Sequence, residues 1–245
     1  MKAKLRQTVL RWRTSRPALY ALVLRVRYHI WWNSSRRKVK GRNNRIISKN
    51  SLLQHCTFDV QGHDNQVVIG SGSVLRNVIF RIRGNGHRIH LGSDIKVERS
   101  AVFWMEGNQG VLEIGDLTTM EEAHLAVTEN GHSITLGKDC MLAYGIEVRT
   151  GDSHSVIDAS SSRRINPPAD VIIGDHVWIA AHALILKGCV IGRDSIVGTG
   201  AVVTKADGAQ GVILAGNPAR IIKQSISWHR QQLEMPVEST TLRQS

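Results

Sequence analysis

Between Ile173 and Val203 an aliphatic, β-branched residue returns at every sixth position: Ile173, Ile179, Ile185, Ile191, Val197 and Val203. Four places after each of the first five stands a small or modest residue, Val177, Ala183, Cys189, Ser195 or Ala201. Gly174, Ala180, Gly192 and Gly198 directly follow four of the aliphatic positions. A period of six fits neither the helical 3.6 nor the period 2 of a long plain strand. It predicts short strands meeting at sharp corners, three flat sides to a coil, with aliphatics stacked inward and small residues filling the corners. That is a parallel β-helix of hexapeptide repeats.

A longer repeat precedes it. Ile47, Ile69, Leu91, Ile114 and Leu136 are spaced 22, 22, 23 and 22 residues apart, and Ser48, Gly70, Gly92, Gly115 and Gly137 follow them. Ahead of each lies a polar turn rich in Gly and Asn, such as Gly41–Asn44, Gly62–Asn65 and Gly84–Gly86, residues that accept positive φ at low cost. Three hexads plus about four residues of extended turn give this spacing, and independent hairpins would not keep it. One continuous solenoid from about 41 to 215 is therefore expected. From Leu136 to Ile173 the interval grows to 37. Leu142 and Val148 keep the hexad, whereas 158–170 reads as a loop standing off the prism, a usual place for function. Past Gly216–Arg220, residues 221–233 are expected to form a short helix covering the open end, and 235–245 a loose tail. The expected domains are an arm at 1–40, the β-helix at 41–220 and the C-terminal helix and tail at 221–245.

Charge changes the picture at one end only. Residues 1–49 hold 15 of the 32 Lys and Arg, and the first acidic residue is Asp59. The body is close to neutral, which argues against a nucleic-acid-binding fold, whose basic surface belongs to the fold itself. Within the arm, Pro17 suits the first turn of a helix with Leu19, Leu22, Val23, Val26 and Ile30 on one face. Its apolar run is too short to span a bilayer and lacks the pattern of a signal peptide. Tyr28, Trp31 and Trp32 followed by Arg36, Arg37, Lys38 and Lys40 suit an anionic membrane surface; packing on the body is the competing reading. Cys56, Cys140 and Cys189 lack metal-type spacing and read as buried free thiols, favouring a cytoplasmic location.

The run from Ile173 to Lys223, with Ile-Gly-Asp-His-Val-Trp, Val203-Thr-Lys205 and Ala215-Gly-Asn-Pro-Ala-Arg220, resembles the left-handed β-helix acyltransferases. More narrowly, Gly145–Ser155, Arg164-Ile-Asn-Pro167 and the turn repeats resemble capsular and other surface-polysaccharide O-acetyltransferases. The resemblance implies a left-handed helix, a homotrimer, and acetyl-coenzyme A lying between adjacent prisms as acyl donor to a glycan. By motif position His154 is the general base, a role suited to imidazole because it titrates near neutral pH. Asp152 or Glu147 would orient it. Trp178 is expected to wall the acetyl-pantetheine arm, with subunit packing as the competing role. Amides near Ala180 and Gly198 would meet the pantetheine, and Asn217 belongs to the same cofactor set. Lys205, Arg220 and Lys223 would meet the phosphates. Arg163, Arg164 and Asn166 on the loop are the expected acceptor contacts.

Other chemistries fit the same scaffold. One is an N-acyltransferase of an amino sugar nucleotide; another is a zinc hydrase using His176 and His182, which sit on different faces and could share a metal only across subunits. A third is a catalytically silent binding scaffold. No metal is expected for the leading reading.

Overall fold

Alternation builds the solenoid. In a computed structural model, which describes residues 12, 15–32, 35–48 and 50–234, most strands bury every second residue and turn the next one outward. The coils have three faces. The first carries β1 (Arg36–Lys40), β4 (Thr57–Gln61), β7 (Val78–Asn85), β14 (Ile146–Arg149), β17 (Leu184–Ile185) and β20 (Val202–Val203). The second carries β2 (Arg45–Ser48), β5 (Gln66–Ile69), β8 (Arg88–Leu91), β10 (Val111–Ile114), β12 (Ser133–Leu136), β15 (Val171–Ile173) and β18 (Val190–Ile191). The third carries β3 (Leu52–Gln54), β6 (Val74–Arg76), β13 (Met141–Leu142), β16 (Trp178–Ile179), β19 (Ile196–Val197) and β21 (Ile213–Gly216). β9 (Lys96–Asn108) and β11 (Thr119–Val127) run round a corner, from the third face to the first. All coil-to-coil pairings are parallel.

The inward column of the hexads is as expected: Ile173, Ile179, Ile185, Ile191, Val197 and Val203 are buried, as are the corner residues Val177, Ala183, Cys189, Ser195 and Ala201. The three thiols are free and buried, and burial pushes Cys56 and Cys140 up to about 11. In the longer coils the register Ile69, Leu91, Ile114, Leu136, Ile173 holds. The first step differs. Ser48, not Ile47, stands opposite Ile69; Ile47 pairs with Val68 and is 39% exposed. The polar turns predict this better than the aliphatics do, because Asn44 lies 21 residues before Asn65, and Asn65 donates to the Asn44 side chain.

Three boundaries need correction. The solenoid starts with β1 at Arg36, inside the stretch assigned to the arm, pairing residue for residue with β4. The loop is longer than 158–170: it leaves after Thr150, whose carbonyl accepts from the Ala169 amide and closes the base. No helix covers the C-terminal end among the described residues. Ala219–Lys223 instead forms β22, antiparallel to β21, because Gly216–Pro218 turns the chain back on itself. Residues 224–234 then run as an irregular strap down the second–third corner. Trp228 stacks on His176 at 4.2 Å and donates to its carbonyl, while Arg230 holds Asp139 at 2.9 Å and Thr119 at 2.8 Å.

Helix α1 (Pro17–Trp32) starts at the expected proline and packs against β3 at the other end of the prism. Leu22 and Val26 stay exposed. Among the described residues no helix is long and apolar enough to cross a membrane. The side chains of Tyr28, Ile30, Trp31 and Trp32, and the tail at 235–245, lie outside the described residues.

Candidate active site

The inserted segment replaces the corner between the first and second faces, leaving β14 and re-entering at β15. Its inner stretch is a small hairpin: Ile157 bridges Arg164, and Asp158 receives Ser160 at 2.6 Å and Ser161 at 2.7 Å. Coils on both sides grip it. Arg164 forms a two-pronged pair with Glu129 of the preceding coil, both contacts at 2.6 Å, and this guanidinium holds the Glu129 carboxyl below its usual range. Lys187 of the following coil hydrogen-bonds Asp152, which, with a further bond from Asn166, lowers the Asp152 carboxyl.

Asn166 is the hub. It is only 9% exposed; its Nδ2 donates to Asp152 and to the His154 carbonyl at 2.8 Å, and its Oδ1 accepts from the Val156 amide at 2.8 Å and from Arg164. One side chain thus fixes the backbone from the His154 carbonyl to the Val156 amide, while the imidazole is exposed and has no hydrogen-bond partner among the described residues. A ring held by its backbone and open to solvent can reach a substrate and exchange a proton.

Several expected roles change with these contacts. Asp152 is held by Lys187 and Asn166, and Glu147 by Arg149 at 2.6 Å, so neither carboxylate touches the His154 ring. Arg164 and Asn166, expected to contact the acceptor, direct their polar atoms into the loop itself; Arg163 remains exposed. The amides of Ala180 and Gly198 already donate to Val197 and Leu214 of the next coil, both at 2.8 Å, which removes them as donors to a pantetheine. His176 is engaged by Asp194 at 2.9 Å and roofed by Trp228; His182 sits edge-on to Tyr144 at 4.8 Å. Nothing in the sequence pairs Glu129 with Arg164 or Trp228 with His176, which are far apart along the chain.

Trp178 is on the third face, half-buried, with Trp228 at 6.2 Å. It borders a largely apolar cavity of about 400 Å³ with Met120, Met141 and Leu142, rimmed by Arg99 and Glu121. The loop occupies the corner opposite this face, so His154 and Trp178 are on different sides of one prism. A second cavity of about 610 Å³ at the C-terminal end is lined by Thr204, Lys205, Val212, Leu214 and Arg220. Of the expected phosphate-facing cations it takes Lys205 and Arg220; Lys223 lies further along β22, and Asn217 is in the exposed β21–β22 turn.

The hexads that build the prism carry a family signature: residues 170–205 match the family described as bacterial transferase hexapeptide (six repeats). The chain belongs to the left-handed β-helix, hexapeptide-repeat acyltransferases. Its structure is similar to that of the polysialic acid O-acetyltransferase OatWY, with TM-score 0.75 and 32% identity over 85% of this chain and 97% of that one. Among curated relatives, the polysialic acid O-acetyltransferase of Escherichia coli O1:K1 / APEC is 38% identical over 92 residues, 38% of this chain and 30% of that protein. The 2,3,4,5-tetrahydropyridine-2,6-dicarboxylate N-acetyltransferase of Staphylococcus aureus (strain JH9) is 48% identical over 63 residues, 25% of this chain and 26% of that protein. The matched part of the chain thus spans about a third or less of these two curated relatives.

Proposed function

We propose that the protein is an O-acetyltransferase that moves an acetyl group from acetyl-coenzyme A to a hydroxyl of a surface polysaccharide or its lipid-linked precursor, with His154 as general base. The observation that carries this reading is the likeness to OatWY across nearly all of that protein, together with the free imidazole of His154 on a braced loop. The donor supplies an activated thioester carbonyl. The residues of the chain fit it: Lys205 and Arg220 line a cavity large enough for a nucleotide, and Trp178 walls an apolar one sized for a thioester arm. His154 would take the acceptor hydroxyl proton as the oxygen bonds to the acetyl carbon, then return it to the departing sulfur as the carbon–sulfur bond breaks. Because His154 and Trp178 sit on opposite sides of one prism, the site closes only between copies, which supports a homotrimer. The cations of the arm suit a cytoplasmic enzyme resting on an anionic membrane, close to lipid-linked acceptors.

Thiol release from acetyl-coenzyme A in the presence of capsular glycans tests the reading. His154→Ala should lower turnover by about two to four orders of magnitude with the assembly intact, the range for loss of a general base. Turnover close to wild type would place the base elsewhere. The similarity to the Staphylococcus aureus N-acetyltransferase favours N-acylation as a second reading; competition between hydroxyl and amine acceptors separates the two.

A further inference from the structure

With Arg164 and Asn166 engaged inside the loop, Arg163 alone of the expected acceptor contacts stays exposed, and the first face carries a second candidate surface. Glu147 and Arg149 of β14 point outward there, paired at 2.6 Å. On the coil before, His124 places Nδ1 3.7 Å from Glu147. On the coil before that, the Trp104 ring meets His124 edge-on at 6.2 Å, and Arg81 lies over the same indole at 4.6 Å. A cavity of about 250 Å³, lined by Ser100, Val102, His124 and Glu147, opens beside them. That is room for one pyranose ring.

Two features are unexplained by the folded chain alone. The Arg149 Nε is buried and has no hydrogen-bond partner. A buried charged N–H without an acceptor is costly, and an incoming group that accepts from it removes the cost. Lys38 and Arg81 are exposed without an ion pair to any described residue, although both help lower the Asp59 carboxyl behind the Arg83 that binds it. Lys38, Asp59, Arg81, Trp104, Ala126 and Arg149 form one outward column in register. At about 4.8 Å per coil the column is about 24 Å long, a few sugar units. Ala126, between the indole and the guanidinium, is closed over at 4% exposed, so the open space lies beside the column, at His124 and Glu147.

We propose that this face is an acceptor subsite that takes a carboxylate-bearing glycan, with one sugar ring in the cavity beside His124 and Glu147 and the chain running past Trp104 and Arg81 toward Lys38. Indole supplies a flat apolar surface for a sugar face, and Arg149, Glu147 and Ser100 supply donors and acceptors for hydroxyls. The unpaired Arg81 and Lys38 select carboxylates over neutral units. Arg149 is five residues before His154 along the chain, so a polymer on the column ends near the loop.

The inference rests on the acceptor reading above, and binding measured without any donor keeps the two separable. Calorimetry on the full chain would compare a sialic acid pentamer with a neutral dextran pentamer. The acidic pentamer is expected to bind at least tenfold more tightly, with affinity falling about tenfold in Trp104→Ala, in Arg81→Ala and in Arg149→Gln. With a polymeric acceptor, the same variants should raise the acceptor KM and leave the donor KM in place. Equal affinity for the two pentamers, or variants that bind like wild type, overturns the proposal. So does side-chain footprinting that finds Arg81 and Trp104 already shielded in the ligand-free assembly and unmoved by glycan, which would make the face a contact between copies. Absence of acetyl transfer with intact glycan binding would sink the enzymatic reading and leave the subsite standing.

Discussion

The two halves of the prism solve one packing problem in different ways. In the N-terminal half the coils are long, β7, β9 and β11 have 8, 13 and 9 residues, and the interior holds Phe58, Phe80 and Phe103 in a column. Phe58 and Phe80 stack at 4.6 Å, and Phe80 meets Phe103 edge-on at 5.3 Å. In the C-terminal half the strands shrink to two residues, and Ile, Val and small corner residues fill a narrower interior. The wide edge between the first and second faces also needs its own support: Asn85 accepts the His63 amide, Asn108 the Asn85 amide and Asn130 the Asn108 amide. Coil length therefore sets which residues can fill the inside and which must hold the rim. The loop with His154 lies at the seam between the two designs, gripped by Glu129 from the wide side and Lys187 from the narrow side. On another corner the strap fastens the same seam, Trp228 to His176 and Arg230 to Asp139.

The contrast is sharpest between the stacked Gly41, Gly62 and Gly84 of the wide rim and Gly200 of a narrow corner, since Gly86 and Gly131 in the wide turns are themselves open. A Cβ on Gly84 would lie far inside contact distance of the Gly107 carbonyl, at φ +120. Gly200 has φ +65 and nothing within 4 Å. Gly84→Ala should therefore destabilise by about 3 kcal/mol or more, since coil spacing cannot open locally without breaking backbone pairs. Gly200→Ala should cost only about 1–2 kcal/mol, the penalty of a left-handed alanine. Urea denaturation of both variants checks the difference; equal losses would show that the wide rim is no more constrained than the narrow corners.

At the seam a smaller but functional effect is expected. Asn166→Ala removes the four hydrogen bonds that fix Asp152, Arg164 and the backbone around His154, while the stacked core is untouched. Turnover should fall at least about tenfold through misplacement of the base, with the donor KM near wild type and the melting temperature shifted by only a few degrees. A drop in thermal stability as large as that of Gly84→Ala would mean that the loop is part of the scaffold and not a platform upon it.

How much of this the chain discloses in advance follows from what repeats. The hexads from Ile173 to Val203 are legible because each coil imposes the same demand at the same interval, and the buried column matches them position by position. Ile47 misleads because an outward strand position tolerates an aliphatic residue, so residue type alone cannot fix the register; the Asn44–Asn65 spacing does. The C-terminal strap is illegible for a different reason. Trp228 and Arg230 occur once, and their partners His176, Asp139 and Thr119 are brought near only by the stacking of coils. The loop shows the same limit: its position is written in the interval from Leu136 to Ile173, but the use of Asn166 to brace His154, in place of binding acceptor, depends on contacts that no spacing encodes.

The gentlest test of the comparison is pH, through a histidine that exists only in the wide rim. His87 is buried; its Nε2 contacts the Gly107 carbonyl at 2.9 Å, and its Nδ1 accepts the Gly110 amide at 3.1 Å. That arrangement needs a neutral ring with the proton on Nε2, and burial pulls its pKa below the usual 6.5. The unfolded chain, titrating near 6.5, binds a proton more readily than the folded one. The stability that His87 contributes is thus fully present above pH 6.5 and is lost as pH falls below that value. The urea midpoint of the native chain should fall from pH 7.5 to pH 5.5, and His87→Asn, which cannot titrate, should show a smaller fall across the same interval. An identical fall in both would move the acid sensitivity away from this rim, to His124 on the outer face, whose pKa burial also lowers.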